Sequence, residues 1–198
     1  MTGAMNRPIL AFFCGCLLLL GGCRYSNPLT SAPSEDVNTW LLGEWQRKEK
    51  SGVSRVIISP AGTDRYRVQL SLAPRRGASR RDADFEAWAS RVGNATFFTL
   101  RSLRPAAGLA EGDHVFVHAE MVDQLTVRFR PLQISAPVDS SSKSLRAEVR
   151  SLLNGGGLFG PDEEWTRIAE VYETRDGQTG LFQPVRYVKP EQPARIND

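Results

Sequence analysis

Of the 198 residues only three are cysteine and two are histidine, and every cysteine falls within the first 23 positions. Beyond Cys23 there is no thiol, which excludes structural disulfides, cysteine-ligated zinc, iron–sulfur clusters and cysteine nucleophiles from the rest of the chain. The two histidines, His114 and His118, stand in "HVFVH", whose alternation predicts a strand. Four strand residues span roughly 13 Å, so the two rings share a face but are too far apart to grip one ion. Outward-facing surface histidines are expected, with no metal and no cofactor. There is no His-Glu-x-x-His sequence and no Gly-x-Ser-x-Gly elbow, so zinc-protease and serine-elbow chemistry lack their residues. Lys143 and Lys50 are the bases left for a Ser–Lys arrangement, and nothing near either points to one. A formal net charge of +3 is too close to neutral to predict a nucleic-acid partner. Nor is there an apolar run of the length, about 20 residues, that spans a membrane as a helix.

What is there begins with "ILAFFCGCLLLLGGC". A single Arg7 precedes an apolar run over 9–20, and small residues follow it, the layout of a secretory signal peptide over 1–22. The exit, Leu20-Gly21-Gly22-Cys23, resembles the bacterial lipobox. That resemblance implies cleavage before Cys23 and diacyl or triacyl lipidation of its thiol, while Cys14 and Cys16 leave with the signal. Two acyl chains suffice for stable anchoring, since each buried methylene contributes about 0.8 kcal/mol. Arg24 occupies the position where an Asp marks inner-membrane retention. The resemblance therefore implies the periplasmic face of the outer membrane of a Gram-negative host.

The stretch "YSNPLTSAPSEDVNT" (25–39) is rich in Ser, Pro, Asn and Thr. Composition predicts that 23–39 is a lipidated cysteine with a flexible tether. A single β-rich domain is expected over 40–190 and a disordered tail over 191–198.

Within that domain "RYRVQLSL" alternates strictly, with Tyr66, Val68, Leu70 and Leu72 on one face, as a half-buried strand does. "WLLGEWQRK" (40–48), "SRVIIS" (54–59), "DFEAWASRV" (84–92) and "ATFFTLRSL" (95–103) read as strands, with a turn at Gly93-Asn94 between the last two. "HVFVHAEMV" and "LTVRFRPL" form a hairpin turning at Asp123-Gln124, with Val115, Val117, Ala119, Leu125, Val127 and Phe129 inward. After Ser142 the period changes. "SLRAEVRSLL" (144–153) places Leu145, Val149, Leu152 and Leu153 at helical spacing, and "NGGG" stops it. "PDEEWTRIAEVYE" (161–173) opens with Pro and three acids, Asp162, Glu163 and Glu164, which suits a second helix start. "NGGGLFG" (154–160) would then join two helices, with Leu158 and Phe159 docking on the core, and "QPVRYVK" (183–189) would be a closing strand. The fold class is α+β: a mainly antiparallel β-barrel or sandwich of six or so strands with two short C-terminal helices.

Asn27-Pro28-Leu29 and Gly43-Glu44-Trp45, together with the lipobox, resemble a group of uncharacterised bacterial lipoproteins. The Gly-x-Trp strand is also similar to that of lipocalins, in which the Trp plugs one end of a β-barrel. The implied function is a non-catalytic binding or interaction module of the cell envelope, held to the membrane by its lipid. The alternatives are a lipocalin-like carrier of a small apolar ligand and, in third place, a periplasmic hydrolase. For the carrier, Trp45, Trp88, Tyr66, Phe85, Phe97 and Phe98 are the aromatics to line a cavity, one of roughly 300 Å³ or more. For the interaction module, "PRRGASRRD" (74–82) supplies Arg75, Arg76, Arg80 and Arg81 for an anionic lipid or an envelope protein. Arg65, Arg67, Arg128 and Arg130 are further candidates for bidentate anion contacts.

Overall fold

The computed structural model describes residues 24–74, 81–106, 108–173 and 179–182. Eight antiparallel strands follow one another around a closed barrel. They are β1 (Gly43–Glu49), β2 (Gly52–Pro60), β3 (Tyr66–Leu72), β4 (Arg81–Val92), β5 (Ala95–Ser102), β6 (His114–Asp123), β7 (Thr126–Pro131) and β8 (Glu163–Glu173). Each pairs with the next, and β8 returns to β1 through Glu44↔Ala169, Trp45↔Arg167 and Gln46↔Thr166. Closure removes the unpaired edges that an open sheet exposes, and it excludes the sandwich. A short strand β9 (Thr179–Phe182) pairs with Glu170–Glu173, the part of β8 beyond the barrel.

The alternation that predicts the strands also builds the interior. Tyr66 and Val68 of β3 point inward beside Trp45, Val56, Ile58, Phe85, Ala87, Val115, Val127 and Trp165. A 3-10 turn, Thr39–Leu41, crosses the end of the barrel where β1 begins. Asn38 caps it by accepting from the Trp40 N–H, and Leu41 is buried in the interior cluster. The hairpin β6–β7 turns one residue later than expected, at Gln124-Leu125, with the Asp123 carboxylate accepting from the Leu125 N–H at 2.8 Å. Leu125 is therefore a turn residue 50% exposed, not an inward one.

One helix, α1 (Ser142–Gly155), lies between β7 and β8. Ser141 caps it, its Oγ accepting from the Ser144 N–H, and Gly156 ends it at φ +78°. Leu145 and Val149 are buried in a second cluster with Val92, Phe97, Phe116, Leu132, Ile134 and Leu158, so α1 covers outer faces of β4–β6. The second expected helix is instead β8. Pro and acids at its start fit a helix N-terminus, but Glu163, Trp165 and Arg167 alternate inward between β7 and β1, and that pairing overrides local preference. "NGGGLFG" accordingly joins a helix to a strand. Its Leu158 is buried in the outer cluster, and Phe159 bridges Leu132. The expected strand over 183–189 and the tail over 191–198 lie outside the described residues.

The segment expected to be a free tether lies along the outside of the barrel. Tyr25 forms a bridge with His114, donating to its carbonyl at 2.9 Å and accepting from its N–H at 2.8 Å. The Tyr25 ring stacks on Phe116 with centroids 5.0 Å apart, and its hydroxyl donates to the Ile134 carbonyl at 2.7 Å. Leu29 is fully buried, Trp88 donates to the Thr30 carbonyl, Ser34 donates to Ala89, and Val37 donates to Thr63. Composition does not show this docking, because only a few buried apolar side chains and a set of backbone hydrogen bonds hold the segment. Tyr25→Ala is expected to cost about 3 kcal/mol, the range for emptying a buried aromatic site. In limited proteolysis the variant should be cut ahead of Trp40 at protease levels that leave the parent intact.

Candidate functional site

The interior faces of the barrel leave a cavity of about 90 Å³ with a wholly apolar wall. Tyr66, Phe85, Phe98, Leu100, Phe129 and Trp165 are among the side chains around it. Leu70, Phe98, Leu100, Ala119 and Phe129 point inward yet keep partial exposure, so solvent reaches the space rather than being sealed out. Of the six aromatics expected to line a cavity, Tyr66, Phe85 and Phe98 do so. Trp45 is packed into the interior cluster, whereas Phe97 and Trp88 belong to the outer face. Phe97 sits against Phe159 and His118. Trp88 lies between the N-terminal segment and the Arg65 guanidinium, which is 5.2 Å from its ring. The volume is well under the roughly 300 Å³ of a typical small-molecule site and equals about three waters' share of liquid.

One step along the strands from Trp45 and Trp165, the same inward faces carry charge. Arg47 follows Trp45 by two residues and Glu163 precedes Trp165 by two. Arg47 binds Glu163 at 2.5 Å and Glu49 at 2.9 Å, and its guanidinium lies 5.1 Å from the Trp165 ring. Ser54 donates to Glu49 at 2.6 Å and accepts from the Ala73 N–H at 3.0 Å. The Glu163 side chain is 7% exposed. Burial pushes its carboxyl above the ordinary carboxylate range, with Arg47 pulling it part of the way back. The interior is thus apolar around the cavity, with this paired charge cluster one step further along β1 and β8. No single-sequence motif announces this pair. The available signal is that Arg47 and Glu49 continue the inward face started by Trp45.

At the other end a second guanidinium closes over Trp45. Arg167 stands 4.5 Å from its ring centroid and donates to the Trp40 carbonyl, while Trp45 Nε1 donates to the Leu41 carbonyl at 3.0 Å. The indole therefore joins β1, β8 and the 3-10 turn.

His114 and His118 share the outer face of β6, but neither is a surface histidine in the expected sense. His114 is buried under the N-terminal segment, with Nδ1 3.3 Å from the Tyr25 carbonyl and the Trp88 ring edge-on. His118 is half-buried between Phe97 and Phe159. Burial lowers both below the ordinary histidine value. Among the described residues no group of three or more His, Cys, Asp or Glu is placed to hold a metal. Asp162 and Glu164 flank Glu163 on the outward face and pair with Arg130 at 2.8 Å and Arg128 at 2.6 Å. Arg65 pairs with Glu86 at 3.1 Å, and Arg67 pairs with Asp84. These four arginines are committed to carboxylates of the same sheet and do not present a free anion site. Arg75, Arg76 and Arg80 lie outside the described residues, as do Leu20, Gly21, Gly22 and Cys23. Arg81 opens β4 opposite Leu72, partly exposed.

The chain matches no protein-family model, no curated protein and no solved structure.

Proposed function

We propose that this protein is a lipid-anchored, non-catalytic binding barrel of the bacterial cell envelope. In this reading Cys23 carries the anchor at the periplasmic face of the outer membrane, and the lipocalin-like interior holds one hydrocarbon chain of a small amphiphile. The observation that carries the reading is the apolar, solvent-reachable cavity, walled in part by Trp165, whose ring lies under the Arg47 guanidinium. Its size limits the ligand. The 90 Å³ takes a chain end of about three or four methylenes, contributing about 3 kcal/mol at 0.8 kcal/mol each. Tight binding then needs the rest of the chain to lie along the half-exposed Leu70, Leu72, Leu100 and Phe129.

Titration of the secreted domain with straight-chain amphiphiles, read by tryptophan fluorescence, tests this. Affinity should rise about tenfold for every two added methylenes until the interior is full. Ala119→Leu fills the cavity, so it should abolish the signal change while leaving the domain as stable as the parent or slightly more so. Affinity indifferent to chain length, or binding undiminished in Ala119→Leu, would rule out the interior as the site.

A further inference from the structure

Arg24, the residue that follows Cys23, lies at one end of the barrel, and the residues after it are bonded to the barrel wall. Arg24 donates to the Gly108 carbonyl at 3.2 Å and lies 3.9 Å from the Asp113 carboxylate. Tyr25 is bridged to His114, and the Ser26 N–H donates to the Val138 carbonyl at 2.8 Å. Gly108 and Asp113 belong to the connection between β5 and β6. Alternation of antiparallel strands puts that connection at the same end as the β1–β2, β3–β4 and β7–β8 connections. From there residues 25–38 run down the outside, past Trp88, Ala89 and Thr63, to the opposite end, where the Asn38 N–H donates to the Tyr66 hydroxyl at 2.6 Å. The residues that composition casts as a spacer are spent crossing the barrel wall. They add no reach between Cys23 and the domain.

Resting on the reading of Cys23 as the lipidated residue, we infer that the barrel sits against the bilayer by its β5–β6 end. One peptide unit, about 3.8 Å between Cα atoms, separates Cys23 from the docked Arg24. The side chains exposed at that end are mostly polar or charged, as a surface lying against lipid headgroups requires. Exposed Lys48, Lys50 and Arg104 lie there, interspersed with exposed Asp82 and Glu111. The opposite end carries the β2–β3, β4–β5 and β6–β7 turns with exposed Trp40 and Leu125. β6 is ten residues long, about 33 Å along the strand and about 25 Å in height at the tilt of a closed barrel. Those turns therefore stand well clear of the lipid phosphates.

The mature chain holds no cysteine beyond Cys23, so a single added thiol is a clean reporter. Ser51→Cys, in the exposed β1–β2 turn, marks the near end, and Leu125→Cys marks the far end. Each full-length lipidated variant is labelled with an environment-sensitive fluorophore. It is then placed in phosphatidylethanolamine–phosphatidylglycerol vesicles containing headgroup-spin-labelled lipid. The label at Ser51→Cys should lose most of its emission, while the label at Leu125→Cys keeps its value without quencher. Equal quenching at both positions, or stronger quenching at Leu125→Cys, overturns the orientation. Intact mass separates the two ideas. A mature protein that carries acyl mass but fails the quenching test keeps its anchor and loses this orientation, whereas one without acyl mass removes the anchor and the orientation with it.

Discussion

Trp45→Ala should lower the unfolding free energy by about 4 kcal/mol, within the range for removing a buried Trp and a large fraction of the 5–15 kcal/mol that holds a typical domain together. The side chain is fully buried, and more than its area is at stake. Its Nε1 satisfies the Leu41 carbonyl, and its ring carries the Arg167 guanidinium, whose own bond reaches the Trp40 carbonyl. Removing the indole therefore unseats the 3-10 turn from the end of the barrel and leaves a charged group without its platform. Trp45→Phe keeps an aromatic face for Arg167 and strands only the Leu41 carbonyl, a cost of about 1–3 kcal/mol. Urea unfolding followed by circular dichroism measures both. A loss below about 1 kcal/mol for Trp45→Ala would mean that the barrel closes without this contact.

Arg47→Met should be nearly as damaging at neutral pH, by about 3–5 kcal/mol, because it leaves Glu163 buried with its charge uncompensated. The loss should depend on pH in a defined sense. Burial already holds the Glu163 carboxyl above its ordinary value of 4.5, and Arg47 is the group that pulls it down. Without Arg47 the upward shift grows. A carboxyl with a raised folded-state pKa binds its proton more tightly when folded. Its charge costs stability above that pKa, and the cost disappears as pH falls through it towards the unfolded value. The gap between Arg47→Met and the parent should therefore narrow steadily as pH falls from neutrality towards 4.5. Adding Glu163→Gln to Arg47→Met should recover most of the stability at pH 7.5 and flatten that dependence. A gap of constant size across the range would place the cost elsewhere than on Glu163.

The strands were legible where one face is consistently apolar, as in Tyr66–Leu72, because period-two alternation survives without knowledge of partners. The barrel's closure was not, because β8 is defined by what lies on both sides of it. Its inward row is Glu163, Trp165 and Arg167, so the apolar signal is diluted by two charges whose partners, Arg47 and the Trp45 ring, are distant in the chain. Pro161 and the three acids then imitate a helix start. The same dilution hid the polar part of the site, since Arg47 and Glu49 look like solvent-facing residues until Glu163 and Ser54 are brought opposite. The docking of the N-terminal segment is hidden in the sequence for a different reason. Ser- and Pro-rich composition reports how little apolar surface a segment has, whereas here Tyr25 and Leu29 bury theirs in the outer cluster and backbone hydrogen bonds hold the residues between and beyond them. The cavity depends on how the inward side chains fill the barrel, which alternation alone does not specify.

The most direct measurement is native mass spectrometry of the chain from residue 24 onward, secreted without lipid into the periplasm of its own host, beside the Ala119→Leu variant. A reproducible mass excess is expected on the parent, released on denaturation as an alkyl-chain molecule and missing from the filled variant. A clean ligand-free mass on both would contradict it, and would leave the barrel as a scaffold whose work is done on its outer surface.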